Sequence, residues 1–254
     1  MTRTVVIDFF PESVLHYKRG YAVVAIDVIR ASTTIVTALS MGRRCFPVPS
    51  LEAAQRVAAR LSNPLLAGEL GGIIPRGFEM NNSPAELARR TDVSRPLVLL
   101  SSSGTKLIHL ARASETAYIA SFQNFEFLSR YLASRHSHIA LIGAGSRGER
   151  RVEDQICCAW MARQLIGSGY VTENRETEET VKSWGAATTD AILSGPSADY
   201  LIRSGQGRDL VFILTHIADL EWAITLQGDE VVGITPTEDE FAYSGTASGA
   251  REDR

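Results

Sequence analysis

Lysine is nearly missing from this chain: of 26 basic residues, only Lys18, Lys106 and Lys182 are not arginine. That scarcity reads as composition rather than function, but it singles out Lys106, which falls in a polar turn. Cysteine is also sparse, at three, with no C-x-x-C pair. The odd count, and adjacent Cys157 and Cys158 pointing different ways on a helix, exclude a disulfide framework and suit buried thiols in a reduced compartment. No apolar run approaches the roughly 18–20 residues that span a bilayer. The opening "MTRTVVIDFFPES" breaks its short apolar run with an acid, unlike a signal peptide. A cytoplasmic protein with no membrane partner is expected. Net charge is −3, so no bulk positive field draws nucleic acid. Catalytic signatures are missing too. There is no G-x-S-x-G elbow and no Walker spacing, and "GAGSRG" is a poor dinucleotide fingerprint without a proper βαβ frame. His136 and His138 lack a third ligand spaced for zinc.

What is present is an ordinary globular composition, 44% hydrophobic and 22% charged over 254 residues, enough for one large α/β domain or two small ones. Arg3–Phe10 and Tyr21–Ile29 read as strands, the second apolar on both faces as in a parallel sheet. Helical spacing begins at Ser32 and stops at Gly42. Cys45–Pro49 reads as a short edge-like strand, and Ser50–Leu61 as a helix capped by Ser50. Ser83, Pro84 and Glu86 spell a capping box with proline at the first helical position. Pro96–Ala113 is a strand, a hydroxyl-rich turn and a helix. Thr116–Asn124 and His138–Asp154 supply further strands, the latter leaving through glycines into a helix. Thr172–Thr180 reads as an exposed acidic loop. Two helical pieces break near Gly195–Pro196, residues 208–226 resist assignment, Asp229–Thr235 is a late strand, and the tail from Pro236 is loosely held. The alternation predicts an α/β fold, three-layer α/β/α, with a mainly parallel sheet flanked by helices. It forms a single unit over 1–254, with a division into two similar lobes near 125–138 left open.

Ligands of such sheets bind beyond the carboxyl ends of the strands, where the polar turns fall. In "AIDVIRASTTIV" a carboxylate, Asp27, sits in an apolar strand, where it is costly unless paired with Arg30 or bound to a hard cation. The following helix start, with Ser32, Thr33 and Thr34, offers amides and hydroxyls to an anion, and Arg30 a planar fork. A simple N-cap at Ser32 and a surface Arg30 would explain the same residues. An acid beside an anion cradle suits Mg²⁺-assisted phosphoryl chemistry. A haloacid-dehalogenase-type phosphatase would need a second Asp at position 29, which is Ile29. "SSSGTK" (101–106) is a second such turn, with Gly104 permitting close approach. Glu69, in "AGELGG", could complete a metal site. Glu153 and Asp154 open a helix, where acids suit the dipole in any case.

The order of "IDVIRASTTIVTAL", "AGELGG", "GFEMNNSPAEL", "LLSSSGTKLI", "ASFQN" and the Glu153–Asp154 pair resembles the 2-phosphosulfolactate phosphatase family over about the first two thirds of the chain. "DLEWA" (219–223) is a weaker echo. The resemblance implies an α/β fold distinct from the dehalogenase type and a Mg²⁺-dependent phosphatase. Its substrate would be 2-phospho-3-sulfolactate, on a route to coenzyme M, or a related phosphorylated 2-hydroxy acid. Asp27, Arg30, Ser32, Thr33 and Thr34 match the first motif, Glu69 and Gly71 the acid loop, and Asn82, Ser83 and Pro84 a third motif in which Asn81 replaces Gly. Gly104, Thr105 and Lys106 match a Thr-Thr-Asn-Gly-Thr turn in which Ser101, Ser102 and Ser103 replace the first three residues. Ser121, Phe122 and Asn124 match a further loop. On this reading Asp27, Glu69 and Asp154 hold Mg²⁺, and Arg30 with the amides of Ser32–Thr34 grips the phosphoryl group. Asn82, Thr105 and Lys106 grip the sulfonate and carboxylate, and Ser83, Ser103, Gly104 and Asn124 line the substrate. Water attacks phosphorus directly, with a covalent role for Asp27 as the rival. A non-catalytic sensor of a phosphorylated organic acid is the alternative function, and a homo-oligomer is left open.

Overall fold

Apolar strands alternating with helices close into a ten-stranded sheet of order β4-β5-β3-β10-β9-β6-β2-β7-β1-β8. The computed structural model describes residues 2–235, so the loose tail expected at 236–254 lies outside the described residues. In chain order, β1 is Thr4–Phe9, β2 Ala22–Ile26, α1 Ala31–Ser40, β3 Cys45–Val48 and α2 Leu51–Ala58. Next come β4 Leu65–Gly68, α3 Pro84–Leu87, β5 Leu97–Leu100, α4 Gly104–Ala111, β6 Thr116–Ala120 and α5 Phe125–Ala133. Then follow β7 His138–Gly143, α6 Val152–Gly167, β8 Val171–Thr172 and α7 Arg175–Trp184. The last elements among the described residues are α8 Pro196–Arg203, α9 Gly207–Thr215, β9 Ala223–Gln227 and β10 Glu230–Ile234. Pro11–His16 and Thr189–Ser194 are short 3-10 turns.

Among the described residues, six of the nine strand pairings are parallel. The period-2 alternation of side chains gives the sheet two apolar faces. Val5, Ile7, Val24 and Ile26 pack with Leu128, Met161, Leu201 and Ile213 of α5, α6, α8 and α9. Val6, Val23 and Ala25 pack with Ile35, Leu87 and Leu107 of α1, α3 and α4. Helix α2 covers Phe46 and Val98 beside them. This is the three-layer α/β/α arrangement.

The antiparallel β9–β10 hairpin joins two parallel blocks, β4-β5-β3 and β6-β2-β7-β1-β8, that run in opposite senses along the ladder. Strand twist accumulates to roughly 100° over five neighbour steps, so the blocks curl toward each other. Helix α4 packs on both β2 and β3, and α1 on both β6 and β3. The polar turns after β2, β4, β5 and β7 thereby meet at one place.

Several expectations change. Strand β3 is interior, between β5 and β10; Pro47 is tolerated because β10 pairs with β3 only at Cys45. The edges are β4 and β8. Residues 172–180, expected as an exposed acidic loop, are the end of β8 and most of α7, capped by Asn174 Oδ1 accepting from Thr177 N at 2.8 Å. They are largely exposed. Residues 125–138 hold α5 rather than a connection between lobes, and strands from both sides of it interleave in one sheet. The capping box is half made. Ser83 Oγ accepts from Glu86 N, while Ser83 N donates to the Asn81 carbonyl.

Candidate active site

Strand β2 ends at Ile26, so Asp27 is the first residue past the sheet. Its main chain is locked to the start of α1: Asp27 N donates to Ser32 Oγ at 2.9 Å, and Ser32 N donates to the Asp27 carbonyl at 2.9 Å. Its carboxylate abuts the start of α4. A Cβ on Gly104 would fall 2.0 Å from Asp27 Oδ2 and 2.6 Å from Ala31 Cβ. The carboxylate is pushed up to about 7, first by burial and then by the charges of Glu69 and Glu153; the Ala31 amide and Arg30 act in the other direction.

Arg30 is buried with its partner Asp209 of α9, Nη1 to Oδ2 at 2.6 Å. The same nitrogen donates to Gln206 Oε1 at 2.6 Å, and Nη2 donates to Asn81 Oδ1 at 3.1 Å. Asp209 Oδ1 accepts from Ser83 Oγ at 2.6 Å and from Ala85 N at 3.0 Å. The guanidinium is therefore fixed in orientation before any ligand arrives.

Glu69 clasps two loops. Its oxygens accept from Ser102 N (2.7 Å), Ser102 Oγ (2.9 Å) and Gly72 N (2.7 Å). Gly68 permits this: at φ 150°, its backbone comes so near β5 that a Cβ would lie 2.2 Å from the Leu100 carbonyl oxygen. At the head of α6, Asp154 accepts from Val28 N at 2.9 Å and Gly145 N at 3.2 Å. Burial, then Asp27 and Glu153, push its carboxyl well up. Burial also raises Glu153, whose two buried oxygens have no hydrogen-bond partner among the described residues. Ser197 is close enough to favour its charge without reaching hydrogen-bond geometry.

These groups surround a cavity of about 560 Å³ at the strand ends. Of the residues expected in a site, Asp27, Arg30, Glu69, Asn82, Ser103 and Asp154 line it. Ser32, Thr33 and Thr34 do not. They are fully enclosed, with Thr33 Oγ1 donating to the Val28 carbonyl and Thr34 Oγ1 to Asn82 Oδ1. The amides of Ser32 and Thr34 are also taken, by the Asp27 and Arg30 carbonyls. Ser83 serves α3 and Asp209. Thr105 bonds Ser101, and Asn124 bonds Ser121 N and the Ile119 carbonyl. Gly104 contributes room for Asp27 rather than a contact in the cavity. Lys106 points elsewhere and pairs with Glu12 at 2.5 Å on the surface. Residues that the sequence did not disclose are Asp209 and Gln206 behind Arg30, and Arg147, Arg151, Ser197 and Tyr200 on the cavity wall. Only Asp209 left a trace, an acid at the head of a segment whose structure could not be assigned.

Among the described residues no three His, Cys, Asp or Glu side chains form a ready metal cluster. The donors still suit an ion that takes one or two carboxylates and completes its shell with water and phosphate oxygens. Asp27 and Asp154 are buried, repel each other, and form no ion pair among the described residues. Asp27 and Asp154 could hold such an ion, with Glu69 adjoining.

One end of the α/β sheet thus joins mutually repelling acids to an oriented arginine around a single cavity, the arrangement of an α/β protein with a polar small-molecule pocket. The 2-phosphosulpholactate phosphatase family matches residues 8–234. A relative from Carboxydothermus hydrogenoformans, named "Probable 2-phosphosulfolactate phosphatase", is 30% identical over 88% of this chain and 90% of its own. Relatives with that name from Symbiobacterium thermophilum and Deinococcus radiodurans are each 31% identical, over 76% and 80% of this chain and 86% and 85% of theirs. The chain belongs to the 2-phosphosulpholactate phosphatase family, whose members are phosphoric monoester hydrolases.

Proposed function

We propose that this protein is a Mg²⁺-dependent phosphatase that hydrolyses 2-phospho-3-sulfolactate, or a closely related phosphorylated 2-hydroxy acid, to the free hydroxy acid and orthophosphate. The observation that carries this reading is the juxtaposition of Asp27 and Asp154 with the pre-oriented Arg30 in one cavity. Asp27 and Asp154 hold Mg²⁺, whose charge offsets theirs and that of the phosphoryl oxygens. Arg30 presents its remaining guanidinium hydrogens to the phosphoryl group. Because Asp209, Gln206 and Asn81 already hold it, little reorganisation is needed as charge builds. The Asn82 amide and the Ser103 hydroxyl face the same cavity and orient the ester.

Orthophosphate release from 2-phospho-3-sulfolactate, phosphoglycerate and phospholactate, with Mg²⁺ and with EDTA, tests the reading. Release is expected with Mg²⁺ and is lost with EDTA and in Asp27→Ala. Tight substrate binding with no orthophosphate under any metal condition would establish the sensor alternative instead.

A further inference from the structure

We infer that Arg147, with Arg151 behind it, forms the subsite for the second anionic group of the substrate, a sulfonate or carboxylate. This rests on reading the cavity as the site of a phosphorylated acid. A substrate with several negative charges needs more than one cation. Three arginines line the cavity: Arg30, Arg147 and Arg151. Arg30, held by Asp209 at 2.6 Å, is taken by the phosphoryl group on that reading. Arg151 pairs with Glu149 at 3.2 Å and donates to the Ser146 carbonyl at 3.0 Å. Arg147 has no acidic partner among the described residues and is exposed toward the cavity mouth. Lys106, the cation that the sequence offered for this task, is committed to Glu12 outside the cavity.

The backbone supports the assignment. Ser146 and Glu149 exchange two main-chain hydrogen bonds, at 2.9 and 3.0 Å, around Arg147 and Gly148. Both central residues have positive φ, 53° and 75°, as in a type I′ turn. Asn, Asp or Gly is the usual first residue of such a turn; an arginine there is disfavoured by the backbone. The loop is tied to the acid wall through Gly145 N and Asp154. Beside it, the buried Arg151 Nε has no hydrogen-bond partner among the described residues. Glu149 also lines the cavity, but its carboxylate is turned to Arg151 and is 70% exposed.

Calorimetric titration of the full-length protein in Mg²⁺ with 3-sulfolactate, which carries the two tail anions and no phosphate, reads the subsite without catalysis. Arg147→Gln is expected to weaken that binding about tenfold or more, and Arg147→Glu further. Arg147→Asn places the residue the turn favours. Its melting temperature is expected to match or exceed that of the wild type while sulfolactate binding is weakened as in Arg147→Gln, which separates recognition from folding. In kinetics, the kcat/KM ratio of 2-phospho-3-sulfolactate to phenyl phosphate falls about tenfold in Arg147→Gln. Parallel assays with phospholactate show whether carboxylate or sulfonate carries the loss. Sulfolactate binding unchanged in both Arg147→Gln and Arg147→Glu overturns the subsite, as does wild-type protein that favours phenyl phosphate over all acidic esters. Wild-type protein that binds sulfolactate through Arg147 yet releases no orthophosphate leaves the subsite standing and refutes the phosphatase reading.

Discussion

Asp27 owes its position to the missing side chain at residue 104. A methyl group there would meet Asp27 Oδ2 at 2.0 Å and Ala31 Cβ at 2.6 Å, and the carboxylate it displaces is one that the Ala31 amide hydrogen-bonds. Gly104→Ala is therefore expected to lower kcat about 100-fold, the scale of a displacement near 1 Å in a reacting group. The accompanying loss of stability should be only about 1–3 kcal/mol. Steady-state kinetics beside a urea melt checks both numbers, and near-normal kcat would mean that Asp27 is not held where the chemistry needs it. Asp209 acts one step further out, through Arg30. Asp209→Asn keeps the shape but leaves a buried guanidinium without its counter-charge, a change that costs about 3–5 kcal/mol where one partner of such a pair is lost. Its kcat/KM should fall with a larger change in kcat than in KM, because an arginine that stabilises developing charge matters most in the transition state. A change confined to stability would reduce Asp209 to a structural role.

At the scale of elements, α7 shows how the sheet edge is finished. Strand β8 pairs with β1 only at Thr4 and Val5. The next inward N–H on that side of β1, at Ile7, donates instead to Thr177 Oγ1 of α7 at 2.8 Å in a buried setting. Thr177→Val should cost about 1–3 kcal/mol, the penalty for a buried donor left unmatched, and Thr177→Ser should recover most of it in the same denaturation series. This helix is not legible in the sequence because "TENRETEET" carries almost no apolar face. Its stability comes from the Asn174 cap, from Thr177 at the edge of β1, and from Val181 and Trp184 packed on the core, and these last two lie beyond that stretch. The parallel strands were legible for the opposite reason: Ala22–Ile26 and Leu97–Leu100 are buried on both faces and read as unbroken apolar runs. The turns that carry Asp27, Glu69, Asn82 and Ser103 were legible because strand ends are where polar residues interrupt such runs. Which of their side chains face the cavity was not, since that depends on how far the sheet curls. Thr33, Thr34 and Thr105 look the same as ligand groups in sequence, yet they spend their hydroxyls on backbone carbonyls and neighbouring side chains. Arg147 is not legible as a ligand group because its turn reads as an ordinary glycine-rich exit.

At the scale of the molecule, two sets of carboxylates have opposite effects on stability. Hydrogen bonds from Arg90, Arg95 and Arg60 hold Asp92, Glu79 and Asp229, respectively, below their ordinary range. Their contribution is present above the unfolded values and is lost as the medium becomes strongly acidic. Asp27, Glu153 and Asp154 are raised, chiefly by burial. Folding favours their protonated forms, so their contribution is full below the unfolded value and is lost as pH rises through the folded one. For Asp27 that interval runs from 3.8 to about 7. Metal-free protein is therefore expected to be most stable on the acid side of neutrality and to lose stability toward alkaline pH. A divalent cation that neutralises these acids reverses the loss only where they are ionised. Thermal melts in EDTA and in saturating Mg²⁺ should show a large rise in melting temperature at about pH 8 and little or none at about pH 5. Asp27→Asn should flatten the EDTA curve and remove most of the Mg²⁺ response. Equal Mg²⁺ shifts at both pH values, or a full shift in the Asn variant, would place the cation away from the cavity acids. The metal-dependent reading of the site would then fail without reference to any substrate.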